Sequence, residues 1–197
     1  AEGADILDIG AESSRPGAHS IPAEVELERL IPVVSEICKR FQVPVSVDTC
    51  KPVVADRMLS FGVEIINDIT GLQKFPQMAK IIAGYKAGVV LMHMRGSPET
   101  MQENPHYDDV VREISAYLQK SIALAEEAGI APDRIAIDPG IGFGKTTEHN
   151  LEILRGLDHF KRLNKPILLG ASRKSFIGNV LDLPAEERLE GSLVAAV

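Results

Sequence analysis

Short apolar runs alternate with longer amphipathic stretches along this chain. The runs fall at residues 4–9, 43–47, 63–66, 89–92, 135–137 and 166–169. They are rich in Val, Ile and Leu and bounded by polar or turn residues, which predicts buried strands. Between them, apolar positions recur at helical spacing. Leu27, Leu30, Ile31, Val34, Ile37, Cys38 and Phe41 form one stripe, opposite Glu24, Glu26, Glu28, Arg29 and Lys39. Pro32 lies inside it and predicts a kink or a late start. Val110, Ile114, Tyr117, Leu118, Ile122 and Ala125 form a second stripe, with Gly129 placed as its C-terminal cap. A third helix is expected over residues 150–160, capped from Thr146 or Thr147. Strand, helix and strand repeat without a low-complexity linker, which predicts one α/β domain over residues 1–197.

Each run ends in a polar or ionisable group. In order these are Glu12, Asp48, Asn67, His93, Asp138 and Ser172-Arg173-Lys174-Ser175. A barrel of parallel strands gathers such strand ends on one rim around a single ligand. An open sheet would spread them along an edge, with ligands at one switch point. The expected fold class is therefore a TIM (β/α)8-type barrel. About six βα units are present, where a closed barrel has eight. Ala1-Glu2-Gly3 reads as the end of a helix, and residues 191–197 stop inside one. The barrel domain is accordingly expected to be incomplete at both ends. Expressed alone, such a chain is expected to expose apolar strand edges, to aggregate and to show little turnover.

Composition narrows the function classes. Of 197 residues, 45% are hydrophobic and 25% charged, with a net charge of −7, which argues against a general nucleic-acid binder. No run approaches the ~18 apolar residues of a membrane span, and the N-terminus does not read as a secretion signal. Cys38 and Cys50 form neither a metal-ligand pattern nor a disulfide framework, so they are read as packing thiols in a cytoplasmic protein.

The chemistry sits in the strand-end motifs. Asp138-Pro139-Gly140-Ile141-Gly142-Phe143-Gly144-Lys145 nearly matches a phosphate-cradling P-loop, but Pro139 stands where the first glycine belongs and has no N–H to offer a phosphate. An aspartate at a strand end, followed by glycines that permit close approach, suits a flat ligand with N–H donors. Ser172-Arg173-Lys174-Ser175 is a strand-to-helix junction with cations and backbone N–H groups for an anion, or else a solvated basic turn. Glu12-Ser13-Ser14-Arg15-Pro16-Gly17 is either a mobile loop closing on an anion or a plain surface loop. Asp48 and Asn67 could each be helix caps. His93 lies outside any zinc-binding spacing and reads as a satisfied histidine.

Taken together, Glu12-Ser13-Ser14-Arg15-Pro16-Gly17-Ala18, Val45-Ser46-Val47-Asp48-Thr49, Ile66-Asn67-Asp68-Ile69, Met92-His93-Met94, the Asp138–Lys145 segment and Ser172-Arg173-Lys174-Ser175-Phe176-Ile177-Gly178 resemble the dihydropteroate synthases, folate-pathway enzymes inhibited by sulfonamides. The motifs come in the family's order and span nearly the whole chain. The resemblance implies a transferase that condenses 6-hydroxymethyl-7,8-dihydropterin diphosphate with 4-aminobenzoate, giving 7,8-dihydropteroate and pyrophosphate. It implies Mg²⁺ as cofactor and a homodimer as the assembly, with no nucleic-acid or membrane partner.

By the same resemblance the pterin lies on Asp48, Asn67, Asp138 and Lys174, with Met92 and Phe143 against its ring face. Asp48 and Lys174 are the candidate catalytic residues. Arg15, Pro16 and Phe143 enclose the aminobenzoate, whose carboxylate sits at the helix start near Ser175, while Ser14 and Arg15 contact the diphosphate. Ser14 departs from the family's usual threonine. No metal ligand is expected in this chain, since the family's metal-binding asparagine and further diphosphate ligands belong to its first and last strands. Two other readings stand beside this one. One is a methyltetrahydrofolate:corrinoid methyltransferase-like barrel, which would share the carboxylates but not Ser172–Ser175. The other is a non-catalytic pterin-binding remnant.

Overall fold

The computed structural model describes residues 3–196. Ala1 and Glu2, which the sequence places at the end of a helix, and Val197, which it places inside one, lie outside the described residues. The elements run β1 (Leu7–Gly10), α1 (Ala23–Arg40), β2 (Val45–Asp48), α2 (Pro52–Ser60), β3 (Ile65–Asp68), α3 (Met78–Gly84), β4 (Gly88–Met92), α4 (Val110–Glu127), β5 (Ile135–Asp138), α5 (Thr147–Arg155), α6 (Leu157–Phe160), α7 (Ser175–Leu181) and α8 (Leu189–Ala196). The strands form a five-stranded sheet in the order β1-β2-β3-β4-β5, with every pair parallel. Spatial order equals chain order, without the reversal that defines a doubly wound sheet. This is the α/β arrangement of a TIM-type barrel wall.

Strand register separates the two faces of the sheet. Ile9, Val47, Ile66, Val89 and Ile135 lie side by side across it, and all five join the apolar core under the helices. The opposite face carries Gly10, Asp48, Asn67, Val90 and Ala136 in one row, with Met92 beside Asp138 one step further along. Period-two alternation thus puts the polar strand ends on the inner face of the wall and leaves the outer face to packing. Leu30, Met58, Ile82, Ile114 and Leu118 close that core, each at most 1% exposed.

Helix boundaries follow local chemistry. Helix α4 starts at Asp109, whose carboxylate accepts the Arg112 N–H at 3.0 Å. It ends with Gly129 N–H on the Glu126 carbonyl and Ile130 N–H on the Ala125 carbonyl, a pattern that needs the positive φ of Gly129, +97°. Helix α5 begins in a reciprocal cap between Thr146 and His149.

Three sequence expectations differ from the structure. Helix α1 starts at Ala23 and runs on through Pro32, so the late start is not found, because the stripe around Leu30 and Val34 is buried on both sides of the proline. The helix expected over residues 150–160 divides at Gly156 into α5 and α6. The sixth apolar run is not a full strand. It pairs as a single parallel bridge between Ile137 and Ile167, held by Ile137 N–H on the Pro166 carbonyl and Leu168 N–H on the Ile137 carbonyl.

Candidate functional site

Asp48 ends β2 and Asn67 lies directly beside it on β3. Neither caps a helix: Lys51 occupies the cap position of α2, and Gln77 that of α3. Burial raises the pKa of Asp48 to about 7, reinforced by the charges of Asp8, Asp68, Glu26 and Glu12. The Asn67 amide donates to Asp8 Oδ2 at 3.0 Å. Its neighbour Asp68 faces the other way and closes the strand-to-loop turn, accepting from the N–H groups of Thr70 and Leu72 at 2.8 Å each.

Asp138 is buried at the end of β5, and one of its oxygens accepts the Gly140 N–H at 2.7 Å. Burial pushes its pKa up, against the lowering effects of that bond, Lys174 and Lys145. Lys174 approaches from the start of α7. Its Nζ lies 4.5 Å from the centroid of the Phe143 ring and donates to the Ile141 carbonyl. Burial lowers the Lys174 pKa and the Asp138 charge opposes that. A side-chain carbon at Gly170 would stand 3.7 Å from Lys174 Nζ and 3.9 Å from Asp138 Oδ2. The cation and the carboxylate therefore share one corner, left open by a glycine. Met92 is buried in a small cluster with Met94 and Met101, against which Phe143 and Ile69 pack.

Three N–H groups of the loop after β5 are spent internally. Gly140 bonds Asp138, Gly142 bonds Asn150 Oδ1 at 2.8 Å, and Phe143 bonds the Gly140 carbonyl. That arrangement is a preformed wall rather than a phosphate cradle. Gly140 adopts φ +72°, and any side chain there would collide with the His93 carbonyl oxygen.

The β1–α1 loop carries Ser14, Arg15 and Pro16. Ser14 and Asp48 line one cavity of about 350 Å³ together with Thr49, Thr70 and Lys74. Pro16 and Ser175 line another of about 380 Å³ with Gln102 and Lys145. The structure thus brings Ser14 to the Asp48 corner and Pro16 to the start of α7. Arg15 is exposed. The loop is anchored by Gly17 N–H on the Pro98 carbonyl at 2.9 Å.

Three groups escaped the sequence reading. Asp8 sits on the inner face of β1, and alternation within Leu7-Asp8-Ile9-Gly10 was the available signal. Lys51 bonds both Glu12 and the fully buried Glu26, the latter at 2.6 Å, so it ties the β1–α1 loop to α1. Lys145 is buried, with Nζ 2.9 Å from the Phe143 carbonyl and 3.0 Å from His93 Nδ1. The histidine is held neutral, its pKa pushed down to about 2 by burial and by the charges of Lys145 and Arg95.

The arrangement is an inner wall of carboxylate, amide and ammonium groups with apolar surfaces beside them, fit for a flat ligand rich in N–H donors. Comparison with known proteins agrees. The chain matches the pterin binding enzyme family over residues 1–197. Dihydropteroate synthase of Escherichia coli K12 is 49% identical over 195 residues, spanning 99% of this chain and 69% of that protein. The Yersinia pestis dihydropteroate synthase structure with a sulfonamide drug complex superposes with a TM-score of 0.94 at 41% identity, covering 98% of this chain and 70% of that one. The Xanthomonas albilineans enzyme with 4-aminobenzoic acid gives 0.92 at 44% identity, covering 99% and 69%. Together with the wall of polar strand ends, these matches show that the chain belongs to the dihydropteroate synthase family of pterin-binding enzymes.

Proposed function

We propose that this chain condenses 6-hydroxymethyl-7,8-dihydropterin diphosphate with 4-aminobenzoate, the reaction of its family, and that Asp138, Lys174, Asp48 and Asn67 hold the pterin. The observation that carries the assignment is the buried corner where Asp138 and Lys174 converge beside Phe143. An ionised carboxylate only accepts hydrogen bonds and an ammonium only donates. Asp138 therefore takes the ring's amino and N–H groups, and Lys174 donates to its oxygen or nitrogen acceptors. Met92 and Phe143 cover the ring face.

In the reaction the bond from the exocyclic methylene carbon to the diphosphate oxygen breaks and pyrophosphate departs. The amine nitrogen of 4-aminobenzoate bonds to that carbon and then loses a proton. Positive charge develops on the methylene and ring, and Asp48 stabilises it electrostatically. Its elevated pKa suits this role, because a neighbouring cation draws the carboxyl into its charged form. Pro16 and Phe143 enclose the aminobenzoate ring, whose carboxylate meets the backbone at Ser175. Ser14 and Arg15 take the diphosphate.

Within this reading the protein is a cytoplasmic homodimer and uses Mg²⁺. Among the described residues no group of three or more His, Cys, Asp and Glu side chains is arranged for a metal. No step above passes through the ion. Nor is any described helix long and apolar enough to cross a membrane.

A protein carrying this sequence, given the pterin diphosphate and radiolabelled 4-aminobenzoate, is expected to release labelled dihydropteroate. A sulfonamide should compete with 4-aminobenzoate. Inhibition that 4-aminobenzoate does not relieve would contradict the placement beside Pro16 and Ser175.

A further inference from the structure

Strand β1 brings into the site a carboxylate that the pterin reading leaves unused. Asp8 lies on the same face of the sheet as Asp48 and Asn67, and its Oδ2 accepts the Asn67 Nδ2 hydrogen bond at 3.0 Å. An asparagine amide has one donor end and one acceptor end, whereas an ionised carboxylate only accepts. Turning the amide over would press its oxygen against the Asp8 oxygen, so the bond selects one orientation. The selected orientation leaves Asn67 Oδ1 buried and without a hydrogen-bond partner among the described residues. Buried acceptors are nearly always satisfied, and this one lies in the row that begins the candidate site.

We infer that Asp8 is a positioning residue: it locks the Asn67 amide with its oxygen turned to the ligand, and so demands an N–H donor on the ligand edge that Asn67 meets. The inference rests on the pterin reading proposed above and deepens it. It predicts discrimination. A ring that places an acceptor at that edge would face Oδ1 with repulsion, and the amide could not turn over to accommodate it.

The test is a swap of donor and acceptor between the two strands, read by calorimetry with pteroic acid as the probe. Asp8→Asn leaves two amides facing each other and frees the Asn67 orientation. Asn67→Asp sets two carboxylates together. Each single variant is expected to bind pteroic acid at least tenfold more weakly than the parent. The double variant Asp8→Asn/Asn67→Asp puts the donor on β1 and the acceptor on β3, and again turns an oxygen to the ligand. It is expected to recover at least tenfold of the affinity lost by Asn67→Asp. Two unrelated structural lesions would instead add their costs. Thermal melting follows folding throughout, and if Asp8→Asn does not fold, the comparison of Asn67→Asp with the double variant decides. A double variant as weak as the summed singles overturns the inference. So does a folded Asp8→Asn protein that binds like the parent. A parent that does not bind pteroic acid overturns the pterin reading as well.

Discussion

Asp48 is held in a field of like charge. Burial, then Asp8, Asp68, Glu26 and Glu12, raises its pKa from 3.8 to about 7. For a carboxyl whose folded pKa lies above its unfolded value, the stabilising contribution is complete below the unfolded pKa and is lost as pH rises through the folded one. The window here runs from about pH 4 to about pH 7. Asp48→Asn is therefore expected to be more stable than the parent above pH 7, by up to about 4 kcal/mol. The gap should close below about pH 4. Urea unfolding at pH 4 and pH 8 measures this, and a variant less stable at pH 8 would contradict the charge arrangement. At this scale the places of Asp48, Asn67 and Asp138 at strand ends were legible in the sequence because each follows an apolar run, whereas the pterin role proposed for them and for Lys174 came from the family resemblance. Asp8 was hidden because it lies inside a run read as uniformly buried. Lys145 was hidden because its neighbours invited comparison with a phosphate loop, while its partners, the Phe143 carbonyl and the His93 ring, depend on folding.

The loop between β5 and α5 positions the site because its own hydrogen bonds leave it little freedom. Gly140 can be replaced neither sterically, given the His93 carbonyl, nor conformationally, at φ +72°. Gly140→Ala is expected to destabilise the protein by more than ~1 kcal/mol and to weaken pterin binding, since it must displace either Asp138 or His93. Thermal melting together with a binding isotherm checks both. Helix α4 contributes differently. Leu118 is fully buried in the apolar core under the helices, so Leu118→Ala should cost about 2–5 kcal/mol of stability and leave ligand affinity in the folded protein unchanged. Element types were legible because the periodicities of strand and helix differ. The sixth strand was not, because a run of apolar residues at 166–169 cannot announce how many of its backbone groups will find partners. Pro32 did not delay the helix: the local rule against proline inside a helix is weaker than the burial of Leu30 and Val34 on either side of it.

Across the molecule, parallel strands in chain order collect distant segments onto one face, and an ion-pair bridge helps secure the β1–α1 loop beside them. Lys51, after β2, bridges Glu12 at the base of the β1–α1 loop and the buried Glu26 of α1. Lys51→Met leaves a buried carboxylate without its counter-ion and is expected to cost about 3–5 kcal/mol, readable as a lower unfolding midpoint in urea. The barrel class was legible from the recurrence of polar strand ends. The ion-pair bridge was not, because Glu12, Glu26 and Lys51 read individually as loop and helix-surface charges.

The central claim is that the inner-face corner of Asp138 and Lys174 holds a pterin, and calorimetric titration of the parent and of Asp138→Asn with a pterin tests it most directly. The substitution turns an acceptor into a donor opposite ligand N–H groups, inside a buried site where a mismatch costs more than a lost contact. The account predicts that affinity falls by on the order of 2–4 kcal/mol while the variant remains folded. Equal binding by parent and variant would remove Asp138 from the site and contradict the account.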